Sequence, residues 1–235
     1  MNNNIRSLFP VLNSCTYLNT AYVGLLSTQL FEFRNKLEKE YLTEGDKFKI
    51  DNHERINDFR ETISRFINSS KENTFFTSNF STGFRYVLDL LPKESKILAL
   101  ENDYNSLIEG LNERDFLVDY IPITSDFEVQ IEKKLYKNEY GVLAISLVQF
   151  LSGIKVDFSA LRKIKEKHPK LIIIGDSTQF IGSDFFDFNN SPFDVVIGSG
   201  YKWMLAGFGN AYMAVSHNFF KQTKSSSKDI YKKVY

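Results

Sequence analysis

From residue 74 onward the sequence alternates between two patterns. Short apolar runs occur at 74–77, 96–100, 116–121, 142–148, 171–175, 194–198 and 211–215. Between several of them lie stretches with apolar residues at helical spacing, at 81–91, 105–114, 131–136 and 157–167. Strands that are apolar throughout are covered on both faces, and parallel neighbours need a crossover that a helix can supply. The alternation therefore predicts an α/β domain of three layers, α/β/α, with a mainly parallel seven-stranded sheet. Two further helices are predicted upstream, at 27–45 and 51–68. Ser27 or Thr28 can cap the first, Gly45 can stop it, and Leu30, Phe33, Leu37 and Leu42 can line one side. In the second, Ile56, Phe59, Ile63, Phe66 and Ile67 are expected to face inward. The expected organisation is an arm over 1–26, a large domain over 27–220 and a polar, weakly ordered tail over 221–235.

Two of the apolar runs end in polar clusters. Leu171-Ile172-Ile173-Ile174-Gly175 runs into Asp176-Ser177-Thr178-Gln179, and Val195-Val196-Ile197-Gly198 runs into Ser199-Gly200-Tyr201-Lys202-Trp203. Open α/β sheets bind ligands outside the carboxyl ends of their strands. A lone aspartate after a strand is ordinarily a turn cap, and a lysine beside a tryptophan ordinarily snorkels to water. At two strand ends of one sheet the pair suits imine chemistry on a pyridine cofactor. A buried carboxylate beside the pyridine nitrogen keeps it protonated, because the ion pair offsets the desolvation of each charge. Gln179 could then reach the ring's phenolic oxygen, and Thr178 could pack under the ring. Ser199 and Tyr201 supply hydroxyls, and nearby glycines allow close backbone approach, as a phosphate requires.

Two more clusters fall at predicted strand ends. Thr77-Ser78-Asn79-Phe80-Ser81-Thr82-Gly83 leads into a helix whose first turn carries Ser81 and Thr82, and helix N-termini offer free amides to anions. Glu101-Asn102-Asp103-Tyr104-Asn105-Ser106 follows the strand ending at Leu100, and Tyr104 could stack on a cofactor ring. Each alone reads as an N-cap or a packed loop tyrosine. It is their concurrence with Asp176 and Lys202 that points to one site.

Composition narrows the partners. Lys plus Arg and Asp plus Glu number 29 each, so nothing suggests an electrostatic nucleic-acid or membrane partner. A single cysteine, Cys15, leaves no intramolecular disulfide framework and suits a reducing compartment, so a cytoplasmic protein is expected. No apolar run is long enough to span a bilayer, and no metal site is expected. A P-loop is missing, and no Gly-x-Gly-x-x-Gly follows an early strand, which argues against a nucleotide-binding α/β protein.

These residues resemble the class V aminotransferase and cysteine desulfurase superfamily, pyridoxal-phosphate enzymes of fold type I. Tyr17-Leu18-Asn19-Thr20-Ala21-Tyr22-Val23-Gly24 resembles the family's entry segment, residues 79–84 its phosphate-binding helix start, and Asp103-Tyr104-Asn105-Ser106 its ring-stacking loop. Asp176-Ser177-Thr178-Gln179 with Gly182 resembles the pyridine-binding signature, and Ser199-Gly200-Tyr201-Lys202-Trp203 the Schiff-base signature. The resemblance implies pyridoxal 5'-phosphate as cofactor. It makes Lys202 the catalytic residue, which carries the internal aldimine and shuttles protons. Asp176 would hold the ring nitrogen and Gln179 the phenolic oxygen, with Ser81, Thr82, Ser199 and Tyr201 on the phosphate. The implied activity is aminotransferase-like, on an amino acid or small amine. The alternative is a non-catalytic or regulatory cofactor-binding remnant of the same fold.

Some features depart from the family pattern. Phe150 stands where many members place a polar residue against the cofactor oxygen. Cys15 lies far from where desulfurases carry their mobile cysteine, so desulfurase activity is not expected. The small carboxy-terminal domain is expected to be absent. A homodimer is implied, with some of Phe180, Phe185, Phe186, Phe188, Phe193, Phe208 and Phe219 left for a partner surface.

Overall fold

The computed structural model describes residues 5–234. Its middle layer is a sheet of seven strands: β1 (Thr74–Thr77), β2 (Lys96–Leu100), β3 (Leu117–Ile121), β4 (Val142–Ser146), β5 (Ile172–Asp176), β6 (Val195–Ser199) and β7 (Ala211–Val215). The spatial order is β1-β7-β6-β5-β4-β2-β3. Strands β6, β5, β4, β2 and β3 run parallel, whereas β7 is antiparallel to both β6 and β1. The reversal has a simple cause. Residues 200–210 join β6 to β7 without a helix, and a strand that returns without a crossover lies antiparallel to its neighbour.

Helices cover both faces: α1 (Thr28–Glu44), α2 (Asp46–Phe66), α3 (Phe80–Leu88), α4 (Asn105–Asn112), α5 (Phe127–Lys137), α6 (Phe158–Lys167), α7 (His217–Thr223) and α8 (Ser227–Val234). Alternate strand residues feed two cores. Leu98, Leu143, Ile145, Ile173 and Val196 face α5, α6 and an aromatic group of Phe158, Phe180, Phe186 and Phe193. Ile97, Ala99, Ile172, Ile174, Val195 and Ile197 face α3, α4 and the buried side chains of α7 and α8. The three-layer α/β/α domain is thus the one the alternation predicts.

Two local expectations fail. In α1 no residue is buried, with Phe33 44% and Leu42 84% exposed, and in α2 Phe59 and Phe66 are 46% and 54% exposed. The two helices pack on each other, and α2 packs on the sheet at β1. The buried positions of α2 are Arg60 and Ser64, followed by Ile67 just past its end; the Arg60 Nε donates to the Thr74 carbonyl at 2.7 Å. A second difference lies at the carboxy-terminal end. The tail expected over 221–235 is helical through residue 234, with Ser216 capping α7 and a fully buried Ile230 docking α8 against β1 and α3. A few apolar residues at helical spacing suffice to dock a lysine-rich segment. Of the seven phenylalanines, some of them expected to supply partner surface, Phe185 and Phe208 are exposed, at 80% and 67%. Phe180, Phe186, Phe188 and Phe193 are buried in one core, and Phe219 is on the buried face of α7. No helix among the described residues is long and apolar enough to cross a membrane.

Candidate active site

The parallel strands place their carboxyl ends side by side, and a cavity of about 230 Å3 opens there. Asp176 is the last residue of β5, opposite Ser146 of β4. Its side chain is buried, and its Oδ1 accepts the Thr178 amide at 2.9 Å. Burial pushes this carboxyl up to about 7, and hydrogen bonds from the Thr178 hydroxyl and amide oppose that rise. Lys202 follows β6 and is 7% exposed. Burial pulls its amine below the ordinary lysine value, with the Asp176 charge opposing. Its Nζ lies 5.9 Å from the centre of the Tyr104 ring and 5.7 Å from that of Tyr201. Among the described residues it has no hydrogen-bond or salt-bridge partner.

The start of α3 is tied into the same place. Asn79 caps the helix, its Oδ1 accepting the Thr82 amide at 2.8 Å. The Phe80 amide donates to the Ser199 hydroxyl at 2.9 Å, and the Ser199 amide donates to the Thr178 hydroxyl at 3.1 Å. One hydrogen-bonded series thus joins α3, β6 and the segment after β5. Ser81, Ser199 and Tyr201 line the cavity, as does Thr178. Tyr201 stacks on Phe208 at 5.1 Å, and burial raises its phenol.

One expectation needs correction here, and another needs detail. Thr82 is not part of the cavity wall: its amide serves the Asn79 cap, and its hydroxyl accepts from Ser78 at 3.2 Å. The first turn points Ser81 inward and Thr82 away. Gln179 does line the cavity, but its amide group has protein partners. Its Nε2 donates to the Ala21 carbonyl at 2.8 Å, and its Oε1 accepts the Trp203 indole at 2.8 Å. One amide proton and one carbonyl lone pair of Gln179 are thereby engaged, and the second amide proton is left to donate to a ligand oxygen.

Tyr104 stands at the start of α4, edge-on to Phe150 at 5.6 Å and to Phe80 at 6.4 Å. Asn79, Phe80 and Phe150 complete the wall, together with Ser146 and Val148, which sequence reasoning passed over. Behind them lies Asp103, 1% exposed, whose carboxylate accepts the Ser146 amide and hydroxyl and the Tyr104 amide. Burial raises the Asp103 carboxyl, and the Ser146 hydrogen bonds oppose that. Its one sequence signal was position, directly before Tyr104 at a strand end. Cys15 is exposed and lies outside the cavity wall.

The cavity joins a lone amine, a buried carboxylate, a tyrosine ring and hydroxyls at a helix start, a set suited to a small flat anion. Residues 29–229 match the family model for class-V aminotransferases. The chain belongs to the class-V aminotransferase family. Pyridoxal phosphate is that family's cofactor. The chain is 25% identical over 199 residues to a putative cysteine desulfurase, PbSufS, of Plasmodium berghei, a match covering 75% of this chain and 36% of that protein. It is likewise 25% identical to a probable cysteine desulfurase of Borreliella burgdorferi, covering 77% of this chain and 46% of the relative. The chain thus spans between a third and a half of the length of these curated relatives. In fold it is similar to the cystine C–S lyase C-DES, solved with its product cysteine persulfide, at a TM-score of 0.84 and 18% identity; the match covers 91% of this class-V chain and 60% of C-DES. An apo cysteine desulfurase from Thermococcus onnurineus matches at a TM-score of 0.77 and 17% identity, covering 94% of this chain and 58% of that one.

Proposed function

We propose that this chain binds pyridoxal 5'-phosphate through Lys202 and takes part in an aminotransferase-like reaction on an amino acid or small amine. The observation that carries the reading is a largely buried lysine, its amine without hydrogen bond or ion pair, in one cavity with a buried aspartate. When bound, the cofactor supplies an aldehyde that condenses with an amine and a ring that takes up an electron pair from the substrate's Cα.

The protein's own residues fit that group. A lysine pulled below its ordinary pKa by burial presents more free amine near neutral pH, the form that bonds a carbonyl. Released on exchange with substrate, the same amine is placed to take and return a proton at Cα. Asp176 would accept the N–H of a protonated ring. A cation there favours the ionised carboxylate, so the bound ring and the buried acid would stabilise each other's charge. Tyr104 would offer its ring to the cofactor for stacking. Ser81, Ser199 and Tyr201 offer hydroxyls to the phosphate beside the first turn of α3. Phe80, Val148 and Phe150 limit water.

Cysteine and cystine head the substrates to be tried, because the relatives named above act on them. The active assembly is a homodimer in this reading. Support comes from apolar side chains left exposed on the arm and on α1, among them Leu18, Tyr22, Phe31, Tyr41 and Leu42. The test is an absorbance spectrum of the purified protein with the cofactor, before and after borohydride. A reduced adduct mapped to Lys202 is expected, and Lys202→Ala should lose it while keeping the fold. An unchanged spectrum in Lys202→Ala would sink the assignment.

A further inference from the structure

We propose that Gly24, with the arm it belongs to, is a positioning element for Lys202. The inference rests on the reading of Lys202 as the residue that bonds the cofactor. Because no hydrogen bond or ion pair fixes the amine, the backbone of the 201–203 turn sets the place from which the side chain reaches into the cavity. That turn is gripped from outside the sheet. The Gly24 amide donates to the Tyr201 carbonyl at 2.7 Å. A Cβ at Gly24 would collide with the Lys202 carbonyl oxygen and lie 2.8 Å from Leu205 Cδ2. Gly24 is not among the residues with positive φ, so its backbone conformation alone would accept a side chain. Only the close approach to Lys202 requires a glycine there.

The arm is held in that place by further contacts. Gln179 donates to Ala21 while accepting from Trp203, so one side chain binds the arm and the turn together. The Tyr17 hydroxyl donates to the Val23 carbonyl at 2.7 Å, which bends the arm back on itself just before Gly24. On the far side of the loop, the Arg34 guanidinium donates to the carbonyls of Ala206 and Phe208 at 3.3 and 3.1 Å. The same loop carries Leu205 at a φ of 54°, a left-handed conformation that its surroundings must hold in place. The arm and α1 thus act on the backbone of Lys202, and the cavity residues act on its ligand. A catalytic group held in this way is sensitive to small displacements of its backbone.

Two ligands separate positioning from folding. Pyridoxamine phosphate carries the ring and phosphate but no aldehyde, so it reports the cavity without the bond to Lys202. In the full chain, Gly24→Ala is expected to leave pyridoxamine phosphate affinity unchanged. The rate of borohydride-fixable attachment of pyridoxal phosphate should fall on the order of a hundredfold. In the unloaded protein, competitive labelling with acetic anhydride should show an altered reactivity at Lys202 and not at surface lysines. Arg34→Ala introduces no clash and should shift attachment in the same direction by less; it decides the matter if Gly24→Ala does not fold. Attachment at the native rate in both variants overturns the inference, as does an equal loss for the two ligands, which would mark a folding role. If the native chain itself fails to attach pyridoxal phosphate at Lys202, the reading beneath the inference falls with it.

Discussion

Asp103 accepts both the amide and the hydroxyl of Ser146, at 2.9 and 2.5 Å, and so ties the end of β2 to the end of β4. Its Oδ1 also takes the Tyr104 amide at 2.7 Å. A single carboxylate behind the cavity therefore sets two of its walls. Asp103→Ala strands all three donors and should destabilise the unloaded protein by on the order of 3 kcal/mol. Asp103→Asn keeps one carbonyl acceptor and should lose less. Urea unfolding of the three proteins checks the order, and an alanine variant as stable as the native chain would refute it.

The buried Asp176 makes stability depend on pH. Burial raises its carboxyl from 3.8 to about 7, so between those values the folded chain holds a proton that the unfolded chain has released. Its contribution is most favourable below about pH 4, is lost as the pH rises towards 7, and is flat above that. Asp176→Asn removes the titration. The variant's stability advantage in the unloaded state should grow across that window to about 4 kcal/mol. Denaturation curves at several pH values test this, and a constant difference would contradict it.

The order found in residues 221–234 predicts a cost for disturbing them. Ile230 is fully buried beneath α8 against β1 and α3. Ile230→Ala should lower stability by about 3 kcal/mol. A dispensable tail would give no measurable change in the unfolding midpoint.

The apolar side chains left on α1 bear on assembly. Phe31 and Leu42 are 53% and 84% exposed. If these cover a second copy, the native chain sediments as a dimer at micromolar concentration, and Phe31→Asp combined with Leu42→Asp shifts it to monomer. A native chain that sediments only as monomer counts against the dimer.

The sequence by itself determined whatever depends on residues a few positions apart. Alternating apolar runs were enough to place seven strands and the helices between them. The placement of Asp176 and Lys202 directly after two such runs was enough to mark a site. Capping was legible for the same reason at α1, where Ser27 accepts the Leu30 amide. Tertiary structure decided whatever depends on partners distant in the chain. Asp103 meets Ser146 across 43 positions, and Gln179 meets Ala21 across 158. No local pattern could show that Gln179 bridges Ala21 and Trp203, or that Gly24 lies against Lys202. The same holds for α1, whose apolar residues have helical spacing but are left unburied. Periodicity states which face a helix offers, while burial depends on what the rest of the chain brings to that face.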